Sequence, residues 1–484
     1  MNKLQITLLI FGFILFNNIN AQSILANDTK IHYVGRIDFS DELQPTYSFP
    51  GISIKAKFYG TGISAVIHDY GIGGVKNTNY YKVLIDGEIQ TEQLEVSNGE
   101  QTYILAENLT LDSHTVELIK ITEGTGGKSS FLGFTVTGGN QVLEELQNLP
   151  TKKIEFIGDS WTAGFGNLSQ YATGSASMAN GDFVAENQDN YFAWGPISAR
   201  NVDAEYHVTA ISGRGLYRNN TGSKNGTLPL NYDNVFEDDN SVSYDHASWH
   251  PDLVVIHLGT NDMAQEEGGS SFKLDDAAFQ QTYTDFVSKI LTYHPCANVI
   301  ICFGNSKSDS WPTWTQQLTR LRTMANGVVS SFPNGNVTTL ELPFTAEKWT
   351  GNTADDCGYG DAWHPSLCSH EEMAVKLTQK INQMDVNWNN SNSCSTIVNT
   401  INEIKKTKMF VSPNPATTYI QLSLEMDEMQ AYSNDYLWTI YNTNGTKISS
   451  GNGNRLDVSN LTSGLYFVQL NYQNSIANSK FIKL

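Results

Sequence analysis

Cationic residues are scarce in this chain of 484 residues: 30 Lys and Arg stand against 50 Asp and Glu, a formal net charge of -20. A surface that acidic repels phosphates and anionic headgroups, which excludes nucleic acid and bacterial membrane surfaces as partners and favours a neutral substrate. Charged residues make up only 17% and apolar residues 40%, too little charge for a largely disordered chain and enough apolar material for packed cores. Cysteine is sparse as well. Cys296, Cys302, Cys357, Cys368 and Cys394 form no CxxC pair and no clustered His/Cys spacing, which excludes a structural zinc site. Beyond the first residues no run is long and apolar enough to cross a bilayer, so no membrane span is expected.

The chain opens with MNKLQITLLIFGFILFNNINAQS, in which Lys3 precedes an apolar run from Leu8 to Phe16 and a polar stretch ending in Ala21. That is the layout of a secretory signal peptide over residues 1–21; the run falls well short of the ~20 residues that span a bilayer. Export allows the cysteines to oxidise, and an odd count leaves at least one unpaired. Cys357 and Cys368 bracket GYGDAWHPSL, where a bridge would restrain the loop; two buried thiols are the alternative.

At roughly 100 to 200 residues per domain the length predicts several modules. Residues 27–140 read as short alternating runs (SIKAKFYG, ISAVIHDYG, YYKVLIDGEI, QTYILAENL, HTVELIKIT, SFLGFTVTG) separated by Gly, Asn and Asp turns, the pattern of an antiparallel, jelly-roll-like β-sandwich. Over 150–385 apolar strands (KKIEFIGDS, AEYHVTAISG, DLVVIHLGTND, NVIICFGN, VTTLELP) alternate with stretches of helical period, which predicts an α/β domain with a parallel sheet covered on both faces. Its last helix is expected to start at a capping box of Ser369 and Glu372. An Asn- and Ser-rich linker, 386–407, leads to strand-like runs over 408–484, a small C-terminal β-sandwich with a hairpin turn at Asn444-Gly445. That segment has no set of residues suited to catalysis and reads as a binding or addressing module.

Four blocks can do chemistry, and each follows a predicted parallel strand, where open α/β sheets place their sites. Ser160, in GDSWTAG, supplies a hydroxyl that needs a base and an anion-stabilising pocket. Gly213, in AISGRG, offers an amide with no side chain in the way, and Asn261, in GTND, offers a side-chain amide. Asp361 stands three residues before His364 in DAWHP. A carboxylate there reaches Nδ1 and leaves Nε2 to take the proton of Ser160. His207 and His257, inside apolar strands, read as satisfied sheet histidines. Asp159 and Asp262 are expected to hold loops through backbone amides. Trp161 and Trp363 flank the Ser and His blocks, placed either to pack or to stack on a sugar ring.

Taken jointly, these blocks resemble the SGNH (GDSL-type) hydrolases, and the GxSxG elbow of the other large serine hydrolase group is absent. The resemblance covers about Lys152 to Asp385. It implies a three-layer α/β fold with Ser160 as nucleophile, His364 as base, Asp361 orienting it, and an oxyanion hole of Ser160, Gly213 and Asn261. Together with YVGRIDF, SFLGFTV, IEFIGDSWTAGFGN, AISGRG and DAWHPS, the sandwich-plus-hydrolase order looks like carbohydrate esterase family 2. That implies removal of acetyl groups from plant-wall polysaccharides such as xylan and glucomannan, with no metal or organic cofactor. Some members of that family use a Ser-His pair without a carboxylate, so the resemblance implies a need for Ser160 and His364 more firmly than for Asp361. FVSPNPATTYIQL, YNTNGTKI, LTSGLYFVQL and the final FIKL resemble the type A sorting domain of the type IX secretion system, implying that secretion machinery as a partner and a secreted or surface-attached product. A lipase or thioesterase on the same fold, or an inactive surface carbohydrate-binding protein, are the competing expectations.

Overall fold

The structure, a computed structural model, describes residues 23–140, 142–169, 184–343, 357–388, 409–424, 437–443, 446–472 and 475–484. The expected signal peptide, most of the linker, Cys394 and the Asn444-Gly445 turn lie outside the described residues. The chain divides into two compact units, Met1–Ser391 and Asn392–Leu484.

In the first unit, among the described residues, two antiparallel sheets of five and six strands face each other. Ser129–Thr137, Gly62–Asp69 and Gly99–Ala106 run side by side in one, and Ser53–Gly60, Asp112–Lys120 and Tyr80–Ile85 in the other. Alternate residues turn inward, so Ile54, Ala56, Phe58, Val116 and Leu118 meet Ala65, Ile67, Phe131 and Phe134 in one core. Glu88–Glu95 is a further strand at the edge of the second sheet. Its EIQTEQLE carries almost no apolar face, which is why alternation did not reveal it.

The sandwich leads into β1 (Lys152–Gly158), α1 (Ser160–Ala163), α2 (Trp194–Asn201), β2 (Ala204–Ala210), β3 (Leu253–His257), α3 (Thr260–Ala264), α4 (Asp276–Tyr293), β4 (Asn298–Phe303), α5 (Gln317–Ser330), β5 (Val337–Glu341) and α6 (Leu367–Gln383). The five strands are parallel in the order β2-β1-β3-β4-β5. Val254 and Ile256 pack with Phe279, Phe286 and Val328 of α4 and α5, while Leu253 and Val255 pack with Trp194, Met373 and Leu377 of α2 and α6. Three layers result. Helix α6 begins one turn before the expected capping box. Its N-cap is Ser366, whose side chain accepts from the Ser369 amide, and Ser369 itself donates its hydroxyl to the Gly358 carbonyl at 2.7 Å.

Sandwich and α/β layers share buried contacts. Arg36 sends its guanidinium to Glu155 of β1 at 2.9 Å and to the carbonyls of Tyr232 and Asn234. Lys82 pairs with Asp189 at 2.9 Å, and Phe49 enters the α4/α5 core.

The second unit, again among the described residues, pairs Met409–Ser412, Tyr419–Leu424 and Arg455–Asp457 in one sheet. Lys447–Asn452, Leu437–Tyr441, Gly464–Tyr472 and Ser475–Lys483 form the other, over a core that includes Ile420, Leu422, Ile440, Val468 and Phe481.

Candidate active site

Strand order reverses between β1 and β3, and the crevice at such a reversal is where this sheet type holds its ligands. Ser160 stands there as the first residue of α1. Asp159 caps that helix, its carboxylate accepting from the Trp161 amide at 3.1 Å. The helix is a single turn that stops at Gly164, where φ is 82°. Ser160 is 5% exposed, and its Oγ lies 2.7 Å from His364 Nε2. An imidazole in that position is able to take the hydroxyl proton as oxygen attacks a carbonyl carbon.

His364 arrives on a short loop before α6. Its Nδ1 lies 3.3 Å from the backbone carbonyl of Asp361, and its ring packs on Phe165 with centroids 4.3 Å apart. The Asp361 carboxylate turns instead to Asn187, whose side-chain amide donates to it at 2.7 Å. The carboxylate–imidazole pair expected from the D-x-x-H spacing is therefore not what these residues form. A spacing of three brings the carbonyl of the first residue back over the ring as readily as its side chain. The loop sits hard against the strand-one turn: the Asp361 amide donates to the Gly166 carbonyl at 3.1 Å, and a Cβ on Gly166, where φ is +65°, would lie 2.6 Å from the Asp361 Cβ. Glycine is required at 166 on both counts. Cys357 and Cys368 are bonded in the structure, with Cα atoms 4.7 Å apart, across the base of this loop. Cys302, buried in the sheet, is the free cysteine among the described residues.

Asn261, on α3, lines the same cavity as Ser160 and His364. Both hydrogens of its amide are engaged, donating to the Asp159 carboxylate at 3.1 Å and to the Arg214 carbonyl at 2.9 Å. Gly213 follows β2 with φ at 76° and accepts from the Asn220 amide at 3.0 Å. It does not line that cavity. The turn carrying it is clamped from two sides. Asp262 accepts from the amides of Leu216, Tyr217 and Arg218, and Glu123 of the sandwich accepts from the amide and the hydroxyl of Ser212 at 2.8 and 2.6 Å.

The cavity holds about 590 Å³ and is lined by Trp161, Trp311, Trp363 and Tyr359 together with Ser306, Lys307, Ser308, Ser310, Gln317 and Glu267. Trp363 is 45% and Trp311 67% exposed, whereas Trp161 is 3% exposed and packs between His257 and His364. Trp311 and Lys307 escaped sequence reasoning because they sit in a loop after β4 with no periodic pattern; the run SDSWPTW was the available signal.

Residues 33–145 match the family Carbohydrate esterase 2 N-terminal, residues 156–370 the GDSL-like Lipase/Acylhydrolase family, and residues 410–484 the Secretion system C-terminal sorting domain. Over 352 residues the chain is 30% identical to the cellulase/esterase CelE of Acetivibrio thermocellus, covering 72% of this chain and 39% of that longer protein. It is 26% identical to an acetylxylan esterase / glucomannan deacetylase of Cellvibrio japonicus, over 78% of this chain and 98% of the relative. The structure of a family two carbohydrate esterase from Clostridium thermocellum in complex with cellohexaose aligns with a TM-score of 0.62 at 29% identity, over 73% of this chain and 98% of that one. Over its sandwich and α/β domains the chain is similar to the family 2 carbohydrate esterases. Its tail is a secretion sorting domain of the type IX kind.

Buried charge surrounds the Ser160–His364 pair. Burial pushes the Asp159 carboxyl up to about 7, and it raises Asp262 as well, against three backbone donors. His257 donates from Nε2 to Asn305 Oδ1 at 2.7 Å, and burial holds its pKa near 4, so it stays neutral. His207 is stacked on Trp249 with centroids 3.6 Å apart; neither it nor His257 lines the cavity.

Proposed function

We propose that this esterase is exported and removes O-acetyl groups from plant-wall polysaccharides such as acetylated xylan or glucomannan, through an acyl-enzyme on Ser160. The observation that carries the reading is the 2.7 Å contact between Ser160 Oγ and His364 Nε2 at the wall of a wide, tryptophan-edged cavity. The serines, lysine and glutamate among its lining residues suit a hydroxyl-rich ligand better than a fatty acyl chain, which supports a sugar ester over a lipid as substrate. The names of the Cellvibrio relatives and the oligosaccharide bound by the Clostridium structure support the same substrate class.

In this mechanism His364 Nε2 takes the Ser160 proton as Oγ bonds to the acetyl carbonyl carbon. The oxyanion is met by the Ser160 amide and by Asn261, one of whose hydrogens swings from the Arg214 carbonyl or Asp159. The ester bond to the sugar breaks, and the sugar oxygen leaves with the proton from His364. Water then gives His364 a proton as its oxygen bonds to the acyl carbon, and Ser160 departs with that proton, releasing acetate. The Asp361 carbonyl fixes the His364 ring, and its carboxylate fixes the loop through Asn187. The bridge between Cys357 and Cys368 restrains the same loop, and Trp363 with Trp161 borders the sugar. Chromatographic detection of acetate released from acetylated xylan and acetylated glucomannan tests the reading. Activity on short aryl esters with none on either polysaccharide would overturn the substrate class. The sorting domain directs the enzyme through the type IX machinery to the medium or the cell surface.

A further inference from the structure

Lys307 is 8% exposed, lines the cavity beside Ser160, and has no hydrogen-bond or ion-pair partner among the described residues. The two residues before it are anchored: Asn305 accepts from His257, and Ser306 meets the Thr260 hydroxyl at 2.6 Å, next to Asn261. Its backbone is therefore held in register with β3 and with the Ser160 crevice. The described residues leave the three donors of the Lys307 ammonium unused, and an oxygen-rich ligand entering the cavity meets them without displacing a protein partner. Glu267 lines the same cavity, and the charges felt by Lys307 come from Glu267, Glu266 and Asp159. That negative setting disfavours an anionic ligand and offers an acceptor beside a donor.

We propose that Lys307 is a substrate-binding residue of a sugar subsite next to Ser160, where its ammonium donates to neighbouring free hydroxyls of the acetylated sugar while Glu267 accepts from one of them. The inference rests on the deacetylase reading above and adds a determinant of which sugar ester is held for attack. A cation and a carboxylate lining one cavity fit sugar hydroxyls, each of which is both donor and acceptor, better than an alkyl chain or an aryl ester.

The test compares kcat/KM for acetylated xylo-oligosaccharides, acetylated manno-oligosaccharides and 4-nitrophenyl acetate in the full-length enzyme and in Lys307→Met and Lys307→Arg. The ratio of sugar-ester to aryl-ester kcat/KM is expected to fall roughly 10- to 100-fold in Lys307→Met, the loss of a charge-assisted hydrogen bond, with the change carried by KM. Lys307→Arg recovers part of it. Lys307→Gln serves the same comparison if the Met variant is insoluble. A ratio equal to that of the parent would overturn the proposal. So would a loss confined to uronate-bearing acetylated xylan, since that would make Lys307 a carboxylate receptor. A parent enzyme inactive on both sugar esters would instead overturn the deacetylase reading itself.

Discussion

At Asp361 the main chain and the side chain serve different neighbours, and substitution separates them. The carbonyl faces His364 Nδ1 and the carboxylate accepts from Asn187, so Asp361→Asn leaves the ring's backbone contact in place. Ser160→Ala and His364→Ala are expected to lower kcat on 4-nitrophenyl acetate by about 10⁵-fold or more, because nucleophile and base act as one unit. Asp361→Asn is expected to lose about tenfold, the scale of one altered hydrogen bond. Stopped assays of the three folded variants settle it: an Asp361→Asn enzyme as inactive as Ser160→Ala would show that the carboxylate acts on His364 after all. That Ser160, His364 and Asn261 would line one cavity was legible in the sequence because each follows a strand in a fixed order of blocks. The partner of His364 was not, since D-x-x-H spacing serves carbonyl and carboxylate alike. Trp311 and Lys307 were hidden for a different reason: a loop has no period from which to infer what it faces.

Among elements, the turn after β2 shows how a catalytic loop is held without regular structure. Its amides at Leu216, Tyr217 and Arg218 all donate to Asp262, a buried carboxylate, and its start is gripped by Glu123 from the sandwich. Removing the acceptor strips one buried and two part-buried amides of their partner, a buried one alone costing about 1 to 3 kcal/mol. Asp262→Ala is therefore expected to lower the unfolding free energy by ~3 kcal/mol or more, and to depress kcat beyond any change in KM as Arg214, whose carbonyl holds Asn261, loses its setting. A calorimetric melting temperature within a degree of the parent would show the turn to be held elsewhere. The five parallel strands could be read from their Val, Ile and Leu runs, and Asp262 from its place beside Asn261. Strand order could not, because β2-β1-β3-β4-β5 is a property of the crossovers and leaves no local mark. The start of α6 was misplaced by a turn because Ser366 and Ser369 both carry a capping side chain, and only packing against Gly358 decides between them.

For the whole molecule, the sandwich acts as part of the catalytic body, and Arg36 is the pin. It reaches from the YVGRIDF segment to Glu155 in β1, where Thr209 and Tyr232 also donate to the carboxylate at 2.8 Å each. Burial works to raise the Glu155 pKa, and the Arg36 guanidinium with these donors overcomes it, holding the group near 2. An unfolded glutamate titrates near 4.3, so the native state keeps Glu155 ionised where the unfolded chain has already taken up a proton. The stability this contributes is present above about pH 4.3 and is lost as pH falls through the folded value near 2. Arg36→Met removes the partner and strands a buried carboxylate, which is expected to destabilise the enzyme by about 3 to 5 kcal/mol at pH 7. In Arg36→Met/Glu155→Gln, which buries no charge at this point, much of that loss should return, so the two substitutions are not additive. Without the guanidinium, the Glu155 pKa rises above the unfolded value. The penalty in Arg36→Met therefore shrinks as the solution is acidified from pH 7 toward pH 3, while the parent loses stability over the lower part of that range. Urea unfolding of the three proteins at pH 7, 5 and 3 reads both effects. A destabilisation of Arg36→Met that is the same at every pH would mean that packing of the arginine, and not its pairing with Glu155, joins the sandwich to the sheet.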